Sequence, residues 1–291
     1  MTALDQAINA HYTRPGLADL IVDALLSDGK DLEALKPDDL APLDQFHIRG
    51  KPATRDLARL AGLAAGMDVL DVGGGLGGPA RLVASVFGCR VTVLDATAEY
   101  CRIGALLTTM TRQEDRVSFH RADALDIPFA DSSFDVAWMQ HVSANIGDKP
   151  GLFSEIRRVL RPGGRLALYE ALAGENGPPY LPVPWASEPA TSLLEPPASM
   201  RALISSAGFA ELAWNDETDR AREWFARPRP SGDKRSALGQ HLLFGPVFGD
   251  MVRNVVRNLA EKRICIVMAV FARTENSPSA PARSTPSGAR S

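Results

Sequence analysis

The sequence predicts an α/β fold: a mainly parallel seven-stranded sheet with helices on both faces and an antiparallel edge strand. Three observations predict it. From Met67 onward, apolar runs of strand length alternate with stretches of helical period. The runs are apolar throughout rather than alternating with polar residues, as in strands covered on both faces. A glycine-rich turn, VGGGLGGPA, follows the first run and opens a helix.

Residues 1–65 read as a helical cap or lid. Leu17, Leu20, Ile21, Ala24 and Leu25 keep the 3.6-residue period, and Leu57, Leu60, Ala61 and Ala64 repeat it behind Thr54, a candidate N-cap. Residues 66–274 form the main domain. MDVLDV, CRVTVLD, RVSFHRAD, FDVAWMQ and the run after RPGG are its first five strands. GGPARLVASVFG, TAEYCRIGALLTTMTR and KPGLFSEIRRVL are helices between them. A Pro-rich stretch within 175–197 forbids regular structure and reads as a substrate loop. Helices at 198–207, around 221–225 and near 251–260 follow, with strands near 209–214 and at RICIVMAVFAR; the two late strands suggest an antiparallel edge pair. The segment 275–291, mostly Ser, Pro, Ala and Arg, reads as a disordered tail.

Composition narrows the function. In 291 residues, 45% are hydrophobic and 23% charged, which excludes a disordered chain, a coiled coil and a collagen-like fibre. A net charge of −3 provides no basic face for nucleic acid. The three cysteines, Cys89, Cys101 and Cys265, form no CxxC pair, so neither a disulfide framework nor a metal site is expected. No apolar run is long enough for a membrane span, and MTALDQAINAHY has no signal-peptide pattern. A cytoplasmic enzyme, monomer or homodimer, is the expectation.

Gly73, Gly75 and Gly77 alternate in a D-x-G-x-G-x-G pattern that starts at Asp71. Such a turn lets a ligand approach the backbone, and the helix behind it offers free N–H groups. Asp95 closes the second strand, where a carboxylate accepts hydrogen bonds from ribose hydroxyls. With Gly78 in place the G-x-G-x-x-G spacing is also met, so NAD remains a competing cofactor on these residues alone.

The third strand and its surroundings separate the two. VLDVGGGLGG (69–78), VTVLDAT (91–97), RADALDIPF (121–129), FDVAWMQHV (134–142) and EIRRVLRPGGRLALYE (155–170), in that order, resemble the class I S-adenosylmethionine-dependent methyltransferases. The resemblance implies their Rossmann-like fold, the cofactor S-adenosyl-L-methionine, and a set of roles. Gly73, Gly75 and Gly77 pack against its methionine and ribose. Asp95 and Ala96 hold the ribose, Asp123 and the Ala124 backbone face the adenine, and Gln140 lies beside the sulfonium. LDQFHIRGKPAT (43–54), HVSANIGDK (141–149) and YLPVPWA (180–186) are similar to the sarcosine/dimethylglycine methyltransferase branch. That likeness implies that Gln45, His47 and Thr54 close over the cofactor from above. The branch has glycine where this chain has Arg49, and cysteine where it has Gly74, a change that a turn tolerates.

Methyl transfer asks little covalent chemistry of a protein beyond placing the nucleophile and excluding water. An amine acceptor must first lose a proton, and His141 has the chemistry to take it. Adjacent strand residues point to opposite faces, so Gln140 and His141 share a site only if the strand ends between them. Tyr180 and Trp185 are candidates for the acceptor pocket, with faces that attract cationic methylamines. Arg14, Arg49 and Lys51 are candidates for an acceptor carboxylate. The expectation is a small-molecule methyltransferase acting on an amine nitrogen of a sarcosine/dimethylglycine-like or natural-product acceptor. An S-, O- or C-methyltransferase and, in another class, an NAD-dependent oxidoreductase are the alternatives.

Overall fold

A computed structural model describes residues 3–227 and 236–275 of the chain. Four helices, α1 (Ala3–Tyr12), α2 (Leu17–Ser27), α3 (Pro37–Asp44) and α4 (Lys51–Leu60), precede the sheet. Then come β1 (Asp68–Val72), α5 (Gly78–Phe87), β2 (Arg90–Asp95), α6 (Ala98–Met110), β3 (Val117–Arg121) and β4 (Phe134–Gln140). The order continues with α7 (Lys149–Val159), β5 (Leu160–Ala173), α8 (Pro197–Ser206) and β6 (Phe209–Asp216). It closes with α9 (Thr218–Ala226), α10 (His241–Phe244), α11 (Phe248–Ala260) and β7 (Ile264–Arg273).

The strands form one sheet in the order β3-β2-β1-β4-β5-β7-β6. β1 to β5 are parallel, and β7 runs against both β5 and β6. The antiparallel edge is thus a pair in which the last strand lies inside the next-to-last. Composition explains the inversion: ICIVMAVFAR is almost wholly buried, whereas FAELAWND is largely exposed and suits an edge. The RPGG segment bulges out of β5, since the pairing steps from Phe134–Leu160 to Val136–Arg165.

Both faces are covered. Leu57, Ala58, Val83, Val255 and Leu259 pack on one side with Val69, Val91, Trp138 and Tyr169. Leu152, Phe153, Ile156, Met200 and Ile204 pack on the other with Leu70, Leu94 and Leu168. Leu17, Ile21, Leu25, Leu40 and Leu43 build a third core with Leu76, Tyr100, Ile103 and Leu107. The segment before β1 is therefore welded to the sheet domain rather than merely laid over it.

Two local expectations need correction. Thr54 is not an N-cap: α4 begins at Lys51 behind Gly50, and Thr54 is fully buried within it. Pro52 occupies the first turn, where its missing N–H costs nothing. The helix ends at Leu60, so Ala64 lies beyond it. The loop at 175–197 is ordered, with a short 3₁₀ turn at Pro189–Thr191. Of the tail expected at 275–291, all but Glu275 lies outside the described residues.

Candidate active site

β1 ends at Val72, and the chain turns through Gly73, Gly75 and Gly77, all in the left-handed region, into α5. At Gly73 an added Cβ would meet Val142 Cγ1 at 2.6 Å. Gly74 is tighter than a free turn: a Cβ there would lie 2.5 Å from Asp71 Oδ2 and 2.8 Å from Val93 Cγ1. The cysteine of the sarcosine branch would have to displace one of them, whereas glycine fits.

Asp95 ties this turn down. Its Oδ2 accepts the Gly75 N–H at 2.9 Å and its Oδ1 the Thr97 N–H at 2.8 Å. Burial raises its pKa, against those two hydrogen bonds. Asp71, which sequence reasoning treated only as the start of a motif, is buried behind the turn. Burial and the Asp95 charge push its carboxyl up to about 8.

The turn opens on a cavity of about 490 Å³ lined by Gly73, Gly75, Asp95, Ala96, Asp123, Ala124, Gln140, His141 and His47, among others. Most of the expected cofactor set is thus brought together. Gly77 does not line it; a Cβ there would strike Phe119 Cζ at 2.5 Å, so its place is packing. Asp123 Oδ1 caps the following turn by accepting the Leu125 N–H at 2.9 Å. Gln45 lies instead on a second cavity, of about 630 Å³, with Tyr12, Phe46, Ile48, Trp185, Trp224, Phe225 and Phe248. The two cavities abut: Tyr12, Phe46, His47 and His141 line both.

A hydroxyl-centred network sits at that junction. Thr54 Oγ1 lies 3.1 Å from Gln45 Oε1, 3.0 Å from His47 Nε2 and 3.4 Å from Gln140 Oε1. His47 Nε2 also meets the Gly50 carbonyl at 2.9 Å, and burial pushes its pKa down to about 4. Gln140 ends β4, and His141 turns into the left-handed region with its N–H donating to the Tyr169 carbonyl at 2.8 Å. The strand alternation is broken there, and both side chains face the same cavity. Behind them Glu170 accepts the Val142 N–H at 3.1 Å and the Ser143 hydroxyl at 2.9 Å; burial pushes its carboxyl up to about 7.

Two of the three substrate candidates change roles. Arg49 pairs with Asp56 and with buried Glu217, each at 2.7 Å, and lines neither cavity. It occupies a left-handed φ of 67°, which accounts for glycine at this place in the similar branch. Tyr180 is clasped between Arg257 (3.6 Å) and Arg263 (4.2 Å) and also lies off both cavities. Trp185 does line the second cavity, its Nε1 held by Ser192 Oγ at 3.1 Å. Sequence reasoning missed Tyr12, Phe46, Tyr100, Asn145 and Asp44, which also line the first cavity. Tyr12 OH donates to Asn145 Oδ1 at 2.9 Å, and burial raises its phenol pKa.

The donor set fits a polar, cation-bearing ligand. Nine buried side-chain polar atoms among the described residues lack a protein partner. Five of them, Asp44 Oδ1, Asp71 Oδ2, Tyr100 OH, Gln140 Nε2 and His141 Nδ1, belong to residues lining the first cavity. No His/Cys/Asp/Glu cluster suited to a metal occurs among the described residues, and no helix of the described residues is long and apolar enough to cross a membrane.

Residues 70–168 match the family model described as a methyltransferase domain. Residues 70–168 carry that domain, and the sheet order and the glycine turn give the chain the Rossmann-like fold of the class I S-adenosylmethionine-dependent methyltransferases. More narrowly, it is 36% identical over 130 residues to methyltransferase GfsG of Streptomyces halstedii, covering 45% of this chain and 47% of that one. The chain thus aligns with about half of that relative's length. Among solved structures it is similar to the [4+2]-cyclase SpnF, at 23% identity and a TM-score of 0.62, covering 89% and 94% of the two chains. It is also similar to a candidate sarcosine dimethylglycine methyltransferase from Galdieria sulphuraria, at 15% identity and a TM-score of 0.59, covering 88% and 99%. At these identities the structural likeness speaks for the fold.

Proposed function

We propose that the chain is an S-adenosylmethionine-dependent methyltransferase of a small molecule, with cofactor in the first cavity and acceptor in the second. The observation that carries this is the junction: a cavity on the glycine turn, whose lining residues hold five unsatisfied buried atoms, abuts an aromatic one and shares four lining residues with it. Bound cofactor supplies an electrophilic methyl group on a positively charged sulfur. The residues supply the rest. Asp95 keeps two backbone N–H groups, yet a carboxylate has further lone pairs for ribose hydroxyls. Asp123 and Ala124 line the adenine end, and Gly73 and Gly75 let the methionine part lie against the backbone. Tyr12, Phe46 and His47 exclude water where the acceptor meets the methyl.

A carboxylate-bearing amine is the acceptor that the narrower resemblance implies. It needs a free cation, and the three candidates are engaged. Arg49 holds Asp56 and Glu217, Lys51 pairs with Asp38 at 3.0 Å, and Arg14 donates to the His241 and Leu242 carbonyls. The aromatic lining of the second cavity favours an apolar acceptor instead. Calorimetry with S-adenosylmethionine and with NAD tests the cofactor: micromolar binding of the first and none of the second is expected, and the reverse overturns the reading. Release of S-adenosylhomocysteine across an acceptor panel tests the transfer.

A further inference from the structure

Two buried donors on residues that line the first cavity lie unpartnered, and one of these residues, His141, also lines the second. Trp138 Nε1 can only donate, so its 3.0 Å contact identifies the Gln140 atom beside it as oxygen, and the amide nitrogen is the end left without a protein partner. The Ile48 N–H donates to His141 Nε2 at 3.2 Å, which places the ring proton on Nδ1, also without a partner. Burial and the neighbouring His47 push the His141 pKa down to about 3, so the imidazole is neutral. His141 therefore offers a hydrogen bond and holds no free lone pair with which to take a proton. The groups packed around it agree. His47 is neutral too, the Tyr169 ring lies 5.0 Å away, and Glu170 spends its oxygens on Val142 and Ser143.

Such a junction serves an acceptor that gains negative charge and not one that must shed a proton to a base. The second cavity adds an aromatic body site, Trp185, Trp224, Phe225 and Phe248, whose charged lining residues Lys51 and Asp38 neutralise each other. Resting on the methyltransferase reading above, we propose that the acceptor is an uncharged, mostly apolar ring molecule with an acidic hydroxyl, a phenol or an enol. Its ionised oxygen is held by the Gln140 Nε2 and His141 Nδ1 donors. The hydroxyl gives its proton to solvent on ionising. The oxygen then forms the new bond to the methyl carbon as the carbon–sulfur bond breaks. That bond's electron pair stays on sulfur, so the negative oxygen and the positive sulfur are both discharged. Gln140 and His141 are catalytic residues in this scheme, because they touch the reacting oxygen.

The test needs no turnover. The protein saturated with S-adenosylhomocysteine is titrated with 7-hydroxycoumarin, whose absorbance separates phenol from phenolate, and with 7-aminocoumarin as the matched amine. The bound hydroxyl should ionise about one pH unit lower than in free solution, roughly a tenfold preference for the phenolate. Gln140→Leu and His141→Phe should each lose most of that shift. Where His141→Phe fails to fold, as its thermal midpoint would report, Gln140→Leu carries the comparison. The proposal is overturned by an unshifted bound phenol, by tighter binding of the amine, or by failure of both 7-hydroxycoumarin and 2-naphthol to bind. Failure of S-adenosylhomocysteine to bind the wild type would instead overturn the methyltransferase reading beneath it.

Discussion

Arg81 and Asp44 form an ion pair at 2.7 Å with side-chain exposures of 0% and 2%. It joins the first helix after the glycine turn to the last residue of α3. Arg81 also donates to Thr108 Oγ1 at 2.8 Å and to the Leu76 carbonyl at 2.7 Å. Removing one partner leaves the other charge buried and alone, which costs about 3–5 kcal/mol. Arg81→Met should therefore lower the thermal midpoint by many degrees. The double variant with Asp44→Asn should recover most of the loss, and a double variant no more stable than Arg81→Met would refute the pairing as the cause.

On the function proposed above Asp95 has two duties, and its removal should show both. Each hydrogen bond to its carboxylate is worth about 1.5–3 kcal/mol. Asp95→Ala should weaken S-adenosylhomocysteine binding at least about tenfold by calorimetry. It should also lower the midpoint, because the Gly75 and Thr97 amides lose their acceptor. Unchanged affinity in the folded variant would remove Asp95 from the cofactor site.

Glu170 sets a pH dependence of known sign. Burial raises its folded-state pKa to about 7 from an ordinary 4.5. The folded protein thus holds a proton that the unfolded chain has released. That contribution to stability is fully present below about pH 4.5 and is lost as the pH rises through 7, on the order of ~3 kcal/mol. Glu170→Gln removes the titration. The midpoint of the variant minus that of wild type should climb between pH 5 and 8, and a flat difference would count against the shift.

Arg49→Gly should act on stability and leave acceptor choice alone. Deleting the side chain frees Glu217 and Asp56, although Arg220 reaches both, at 3.3 and 3.6 Å, and relief of the left-handed backbone offsets part of the loss. A net loss of about 1–2 kcal/mol, several degrees in midpoint, is expected. Altered selectivity across an acceptor panel with an unchanged midpoint would restore Arg49 to the acceptor site.

The legible part of the site was the part written locally. The glycine turn, Asp95, Asp123 and Gln140 follow strand ends, and strand ends show in the hydropathy pattern. Arg49 was not legible in the same way. An arginine in a polar stretch reads as a solvated charge or a ligand clamp, and its partner Glu217 lies 168 residues away in the chain. Tyr180 offers an aromatic face for a cation, but the cations that fill it are Arg257 and Arg263 of the same chain. Tyr12 ends a helix and Phe46 follows one in a polar stretch; both pack on the core of Leu17, Leu40 and Leu43, a placement that their chain neighbours do not reveal. The inverted order of β6 and β7 was readable in principle, since the more apolar strand had to lie inside.

The two cavities draw on different stretches of sequence. Of the residues lining the second, His141 alone lies within 70–168, and the rest come from helices and loops before and after that stretch. The first is built mostly from within it. On the function proposed above, the chamber for the donor is built mostly by the shared domain and the chamber for the recipient by the segments that flank it. Apart from the four residues common to both, mutation can then redraw the recipient chamber and leave the donor chamber as it was.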